Sequence, residues 1–127
     1  MMDTDEEALE AKTDRELYGR ILGIVKNRHQ LNSLCESLAG LGVRDLEVLD
    51  GPIGVQRLVN WHETASQFFF GDMEAVMLQR YVDAAGDGLL VFTAVVAPEL
   101  ANPAAEKARS QGATEVVHFG NSVITSY

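Results

Sequence analysis

A run of ten uncharged residues, from Gly88 to Ala97, constrains the fold of this chain more than any other stretch. It is rich in β-branched and aromatic residues, it follows the turn signal Gly86-Asp87-Gly88, and Pro98 ends it. A run of this kind predicts a strand that is covered on both faces or nearly so. Such a strand lies in the middle of a sheet, so the other elements must pack beside it or over it.

Length and cysteine content predict a single domain in a reducing compartment. A chain of 127 residues corresponds to one domain that buries roughly two-thirds of its unfolded surface without a disulfide or a metal. The single cysteine, Cys35, cannot form an intramolecular disulfide. The acidic N-terminus lacks the features of a signal peptide, and no apolar run approaches the roughly 20 residues of a membrane span. We therefore expect a soluble, cytoplasmic protein.

The net charge of −9 is concentrated at the N-terminus. Residues 1–16 contain seven acidic side chains against Lys12 and Arg15, and we expect them to form a mobile acidic tail ahead of a single α+β domain at 17–127. The tail is interpreted as a solvated arm, with an interaction segment as the alternative. An acidic surface repels phosphate groups, so neither nucleic acid nor a membrane is an expected partner.

Hydrophobic periodicity and turn signals divide the chain into strands and helices. The pattern predicts, in order, a strand at 18–25, a helix at 28–41, a strand at 45–49, an irregular region at 55–71, a helix at 72–85, the strand at 88–97, a helix at 103–111, and strands at 114–119 and 123–125. Asn27 and Asn102 are the expected N-caps of the first and last helices. Gly19 and Gly23 mark places where another element can approach the first strand closely.

This order predicts a ferredoxin-like βαββαβ sandwich with a helical insertion between strands 2 and 3. The helices are expected on one face of an antiparallel sheet, with the insertion at one end or across an edge. The apolar stripe of the first helix comprises Leu31, Leu34, Cys35, Leu38 and Leu41, and that of the 72–85 helix comprises Met73, Val76, Met77, Tyr81 and Ala84. Cys35 is therefore expected to be an inert core thiol.

Three stretches of the sequence resemble the bacterial general-stress or heat-induced stress protein family of small cytosolic domains. They are residues 23–30 (GIVKNRHQ), the helix around Tyr81 with residues 88–91 (GLLV), and residues 111–120 (QGATEVVHFG). The resemblance covers residues 18–127 and implies the same fold. It implies no catalytic residue, because the family has no well-defined activity. Asn121-Ser122 stands where relatives often have a basic and an aromatic residue.

The histidines offer no metal motif. His29, His62 and His118 are not spaced as i and i+4, and neither HExxH nor CxxC occurs, so no metal and no cofactor is expected from local motifs. A site assembled from distant residues stays open, and its candidates are His62, Glu63 and His118. The alternative for His62 is an ordinary loop histidine beside a packed Trp61.

Asn27, Arg28 and His29 form the first candidate ligand site. They lie where a strand leads into a helix N-terminus, and the free amide groups there can hold an anion with help from Arg28. In the alternative interpretation Asn27 only caps the helix and Arg28 is solvated.

Four large aromatic residues lie close together in the irregular region: Trp61, Phe68, Phe69 and Phe70. Either they cover the core or they meet a partner chain. They are the candidate interface of an expected homodimer.

The leading functional hypothesis is a non-enzymatic, stress-associated or regulatory domain that self-associates. The alternatives are a domain that binds a small ligand, either an anion or a nucleotide, and a small enzyme of the dimeric α+β-barrel type that uses His62 or His118 with a carboxylate or a haem.

Overall fold

The computed structural model describes residues 17–66, 71–120 and 124–127. The expected acidic tail at 1–16 lies outside these residues. In chain order the helices and strands are β1 (Arg20–Val25), α1 (Arg28–Ala39), β2 (Arg44–Val48), α2 (Gly51–Ser66), α3 (Gly71–Gly86), β3 (Leu90–Val95), a 3-10 turn (Pro98–Leu100), α4 (Ala101–Ser110), β4 (Thr114–Phe119) and β5 (Ile124–Ser126). The described chain is therefore an α+β domain, as expected.

The strands form one antiparallel sheet in the order β2-β3-β1-β4-β5. β3 lies between β2 and β1, and its residues 91–94 are buried. The prediction that the run at 88–97 contains an interior strand is confirmed. Because side chains alternate along a strand, each central strand contributes side chains to two separate cores.

The first core lies between the sheet and helices α1 and α4. Ile21, Phe92 and Val116 face it from three neighbouring strands. The helices contribute a leucine stripe from α1 and an alanine stripe from α4, which are Leu31, Leu34, Leu38, Ala104, Ala105 and Ala108. The small alanine side chains let α4 lie close to the sheet and to α1.

The second core lies on the opposite face of the sheet, under the hairpin of α2 and α3. Leu22, Val91 and Val117 face it from the strands, and the hairpin contributes Leu58, Trp61, Leu78 and Tyr81. The expectation that the helices occupy one face, with the insertion at an end or an edge, was therefore wrong. The hairpin carries enough buried apolar side chains to cover the second face of the sheet.

The expectation of an irregular region at 55–71 was also wrong, because α2 occupies Gly51–Ser66. The turn residues Gly51 and Pro52 instead open the helix, a position where proline lacks only an amide that would be unpaired anyway. A Cβ atom at Gly54 would lie 2.3 Å from the carbonyl carbon of Leu49. Glycine at this position lets the first turn of α2 pack directly on the end of β2.

Gly23 confirms the predicted close approach to the first strand, whereas Gly19 does not. A Cβ atom at Gly23 would lie 2.6 Å from the ring of Phe92, so the ring fills the space that a side chain would need. Gly19 instead has open space around it and a φ of +86°. That left-handed conformation is the reason for glycine at this position.

Two further expectations need correction. The last helix begins at Ala101, after the 3-10 turn, so Asn102 lies inside it and is not its N-cap. Asn102 instead accepts a hydrogen bond from the Tyr127 hydroxyl at 2.6 Å. In α3, Val76 is exposed and Leu78 is buried in its place. The structure does not describe the side chain of Met73.

Candidate functional site

The N-terminus of α1 is capped as the sequence predicts. The Asn27 side chain accepts a hydrogen bond from the Gln30 amide at 2.9 Å, and the Gln30 side chain accepts one from the Lys26 amide at 2.8 Å. Arg28 is exposed and pairs with Asp50 at 2.8 Å, and His29 is exposed. This geometry matches the interpretation of Asn27 as a cap, and the ligand site at residues 27–29 stays a prediction.

The second set of candidates is not brought together. His62 and Glu63 are consecutive residues of α2, and consecutive helical residues do not face each other. His118 pairs with Ile21 across the sheet and therefore shares its face, which is the face of α1 and α4. The sheet thus separates His118 from α2.

His118 is only 6% exposed, and its Nε2 atom makes no hydrogen bond to any residue that the structure describes. Burial lowers the pKa of His118, and a backbone hydrogen bond with Val96 opposes that shift in part. The neutral imidazole is therefore the form that this position favours.

Cys35 is half-buried at the edge of the first core. Burial raises the pKa of its thiol, and the neighbouring Glu36 carboxylate raises it further against the effect of a backbone hydrogen bond. A raised pKa reduces the thiolate fraction, which agrees with the expectation of an unreactive thiol.

Trp61 is 2% exposed and belongs to the second core. The guanidinium of Arg57 lies over its ring, 5.2 Å from the centroid, within the range of a cation–π interaction. Of the two alternatives for the aromatic residues, Trp61 covers the core of its own chain. Phe68, Phe69 and Phe70 lie outside the described residues.

The structure brings together three charged residues that sequence reasoning missed. Oε2 of Glu47 accepts hydrogen bonds from Nη1 of Arg20 at 3.4 Å and from Nη1 of Arg57 at 3.1 Å. Arg20 lies on β1 and Glu47 on β2, so the arginine side chain reaches across β3, the strand between them. Arg57 approaches the same carboxylate from α2. These three side chains are called the arginine cluster below.

Thr93 lies on β3, the strand between Arg20 and Glu47. It pairs with Glu47 on one side and with Leu22 on the other, so all three side chains share the face of the second core. Directly paired residues have Cβ atoms only about 4.5–5.5 Å apart, so Thr93 and Glu47 are neighbours on this face. That hydroxyl is fully buried and has no hydrogen-bond partner among the residues that the structure describes.

Charge and burial are distributed unevenly within the arginine cluster. Two guanidinium groups and one carboxylate give it a formal charge of +1, in a chain whose net charge is −9. The side chain of Arg20 is 10% exposed, whereas that of Glu47 is 44% exposed. The cationic side is thus fixed in the protein and the anionic side faces solvent.

An open groove of about 370 Å³ lies beside the arginine cluster. Its lining is formed by the N-terminal half of α2, namely Pro52, Ile53, Gln56, Arg57 and Asn60. Arg57 is the member of the arginine cluster that contributes to this lining.

A weak sequence signal for the arginine cluster exists. Arg20 lies two residues before Leu22 and four before Ile24, and Glu47 lies two residues before Leu49. Residues two apart on a strand share a face, so both charges fall on strand positions that face the core. Two inward-facing charges of opposite sign in one sheet are a reason to expect a pair. Arg57 has no such signal, because its position depends on the packing of α2 against the sheet.

A scan against protein-family models and searches of curated proteins and solved structures found no match to this chain. Within the described residues, no group of three or more His, Cys, Asp or Glu side chains is placed to hold a metal ion. No helix of the described ranges is long and apolar enough to cross a membrane.

Proposed function

We propose that this chain is a non-enzymatic domain that binds a small anionic ligand at the arginine cluster. The observation that carries the proposal is the convergence of Arg20 and Arg57 on one carboxylate oxygen of the half-exposed Glu47 side chain. An external carboxylate or phosphate would supply the acceptor oxygens that these groups can use. This is the ligand-binding alternative of the sequence analysis, with the ligand at a different place.

The energetic argument starts from the burial of Arg20. Burying a guanidinium group is costly unless partners compensate it, and the side chain of Glu47, one of the partners of Arg20, is 44% exposed. Arginine presents several N–H donors in a rigid fork that matches the oxygens of carboxylates and phosphates. A buried arginine with a solvent-facing partner is therefore suited to receiving an anion from solution.

The sheet order supports a ferredoxin-like architecture as part of this proposal. The series β2-β3-β1-β4 is antiparallel throughout, and α1 and α4 lie together on one face. The α2–α3 hairpin is then an insertion between the second and third strands. It covers the face that this architecture often leaves open, and it carries Arg57 to the cluster.

The resemblance to the bacterial stress proteins supports a regulatory role in the cytoplasm for such a domain. Under this proposal the ligand signals a metabolic state and the domain responds to its concentration. The anion is the input, and no chemical step on the ligand is required.

Thermal unfolding and calorimetric titration of the full chain test the proposal. Inorganic phosphate, succinate and AMP are titrated against sodium chloride at constant ionic strength. A ligand that binds only the folded state at 100 times its Kd stabilises that state by about 2.7 kcal/mol. We expect at least one oxyanion to raise Tm, and Arg57→Gln to reduce that rise.

Arg28→Gln is the matched control, because Arg28 is an exposed arginine paired with a single carboxylate away from the cluster. It should leave the anion effect intact. Equal Tm values in chloride and in all three oxyanions would contradict the proposed function.

A further inference from the structure

We infer that residues 124–127, which comprise β5 and Tyr127, form a strap over His118 that opens when this histidine takes up a proton. These residues are called the β5 strap below. The strap lies at the edge of the sheet opposite β2, and His118 lies on the face that α1 and α4 cover. The β5 strap is therefore separate from the arginine cluster, and it can open whether or not that cluster binds an anion.

His118 is flanked by β1 on one side and by the β5 strap on the other. It pairs with Ile21 of β1 and with Thr125 of the strap, so both partners share its face of the sheet. Tyr127 lies two residues beyond Thr125 on the same face, and its hydroxyl donates to Asn102 in the first turn of α4 at 2.6 Å. Among the described strands, none lies outside β5. The strap thus separates the outer side of His118 from solvent.

The closed strap leaves a second N–H group on the imidazole without an acceptor. His118 is 6% exposed, a backbone hydrogen bond with Val96 serves the imidazole, and Nε2 makes no hydrogen bond to any described residue. A protonated imidazole carries an N–H group on each nitrogen, so Nε2–H would be buried without a partner. Opening of the strap would let water supply the acceptor.

The charged groups on the elements around His118 do not take the place of that water. Burial is the main cause of its lowered pKa, the Val96 hydrogen bond opposes it, and no charged neighbour contributes. Burial also raises the pKa of Tyr127, so this hydroxyl is neutral in the same pH range. Arg20 of β1 and Glu115 of β4 make ion pairs on the side of the sheet that α2 and α3 cover. The charged side chains of α4 and of the 3-10 turn are exposed, namely Glu99, Glu106, Lys107 and Arg109.

The β5 strap is held to the rest of the protein by few contacts. Its three strand residues pair with β4, and none of its side chains is fully buried. Tyr127 adds a hydrogen bond from its amide to the Val116 carbonyl at 2.8 Å and the hydroxyl bond to Asn102. Segments with few buried apolar contacts open at a lower free-energy cost than core strands do. Local opening beside His118 is therefore easier than unfolding of the domain.

Opening of the strap and protonation of His118 are coupled. In the closed form, burial holds the pKa of His118 below its ordinary value, whereas in the open form the hydrated imidazole titrates near the ordinary value of about 6.5. The open form therefore binds the proton more readily, and its population rises as the pH falls below about 6.5. In mildly acidic solution the protein more often exposes the edge of β4 that the strap covers at neutral pH.

The test is amide hydrogen exchange by NMR at pH 5.5 and pH 7.5, with each rate corrected for the intrinsic pH dependence of exchange. The reporter is the Tyr127 amide. The control is the Leu49 amide, which donates to the Val91 carbonyl at 2.7 Å at the other edge of the sheet. We expect the protection of Tyr127 to fall several-fold at the lower pH, up to about tenfold, because the open form gains one proton. The protection of Leu49 should change by less than about twofold. Equal falls at both amides would mean that His118 is protonated only when the domain unfolds, which overturns the inference, as does unchanged protection of Tyr127.

His118→Gln separates this histidine from the other titrating groups. Glutamine takes up no proton, so the protection of the Tyr127 amide in this variant should be the same at both pH values. A fall as large as that of the wild type would assign the opening to another group and overturn the role of His118.

A further measurement keeps His118 in place and weakens the strap. Tyr127→Phe removes the hydroxyl bond to Asn102, which should increase the open fraction about two- to tenfold. Because the proton enters through the open form, the pKa of His118, followed by its imidazole NMR signals, should move up toward the ordinary value. The signals of the exposed His29 in the same spectra are the control and should titrate alike in both proteins. An unchanged titration of His118 in Tyr127→Phe overturns the inference.

Discussion

The Tyr81 hydroxyl donates a hydrogen bond to the backbone carbonyl of Glu115 at 2.5 Å, and this contact ties α3 to an irregularity in β4. Among the described residues, Glu115 is the non-glycine residue with a left-handed backbone, at a φ of +50°. The register between β1 and β4 shifts at the same place, between Leu22 and Ile24 of β1. A bulge leaves backbone groups without a ladder partner. Tyr81 supplies one such partner from the helical hairpin. Burial raises the pKa of Tyr81, and the Glu115 carboxylate adds to this shift, so the hydroxyl stays a donor.

Replacing Tyr81 with phenylalanine should destabilise the protein by about 1–3 kcal/mol, because a partly buried carbonyl loses a donor that the fully buried Tyr81 side chain supplies. Urea unfolding measures the free energy. Tyr127→Phe is the matched control, since the Tyr127 hydroxyl bonds to Asn102 at an exposed site and its loss should have a smaller effect. Equal losses for the two variants would show that the carbonyl of Glu115 does not need Tyr81.

The close packing of α2 on β2 predicts opposite effects for two glycine substitutions in helices. Gly54→Ala should destabilise the protein despite the better helix propensity of alanine, because the new methyl group meets the Leu49 backbone, which cannot yield as a flexible side chain can. Gly86→Ala, in the last turn of α3, has no atom within 4 Å of the new Cβ and should be neutral or stabilising by up to about 1 kcal/mol. Denaturant melts of both variants give the two signs. A stabilising Gly54→Ala would mean that α2 stands away from Leu49.

These glycines also show why part of the fold could be predicted from the sequence and part could not. The strand at 88–97 and the capped helix α1 have local signals, namely an uncharged β-rich run and Asn27 before a leucine stripe. The sequence at the start of α2 looks like a turn because it contains Gly54. This glycine is needed for the close contact with the Leu49 backbone, which the sequence does not reveal. Local propensity was overridden by packing at that point.

The arginine cluster lay beyond prediction for a similar reason. Arg20, Glu47 and Arg57 belong to three separate elements, and they meet only through the order of strands and the placement of the hairpin over the second face. The pair between Arg20 and Glu47 could be suspected from the sequence, because both residues fall on strand positions that face the core. By contrast, Asn27, Arg28 and His29 are adjacent in sequence, so this set can be recognised from the sequence alone. Their adjacency does not predict their contacts, such as the ion pair of Arg28 with Asp50.

The expected homodimer stays a prediction, and its physical basis is changed by the structure. Trp61 is buried and the hairpin covers the second face of the sheet, so neither Trp61 nor that face of the sheet needs a partner chain to cover it. The edges at β2 and β5 remain, each paired on one side among the described strands. We expect a dimer in sedimentation equilibrium at micromolar concentration, and Phe69→Ser tests the aromatic segment of residues 68–70. A wild-type monomer across that range contradicts the prediction.

The buried His118 should make stability fall in mildly acidic solution. Burial holds the pKa of His118 in the folded state below its unfolded value of about 6.5. In mildly acidic solution the unfolded chain therefore binds a proton at this residue more readily than the folded chain does. Above pH 6.5 the neutral His118 therefore does not reduce the free energy of unfolding. It decreases as the pH falls below that value, with a slope of at most about 1.4 kcal/mol per pH unit from this one group.

Urea unfolding between pH 5 and pH 7.5 measures this slope for the wild type, His118→Gln and His29→Gln. The glutamine at position 118 cannot take up the proton, so its curve should be flatter than that of the wild type. His29→Gln retains His118 and should retain its contribution to the slope. If the stability of the wild type and of His118→Gln changes equally with pH, the prediction is wrong. The folded protein would then accommodate a charged imidazole at this position and provide an acceptor for its Nε2–H group.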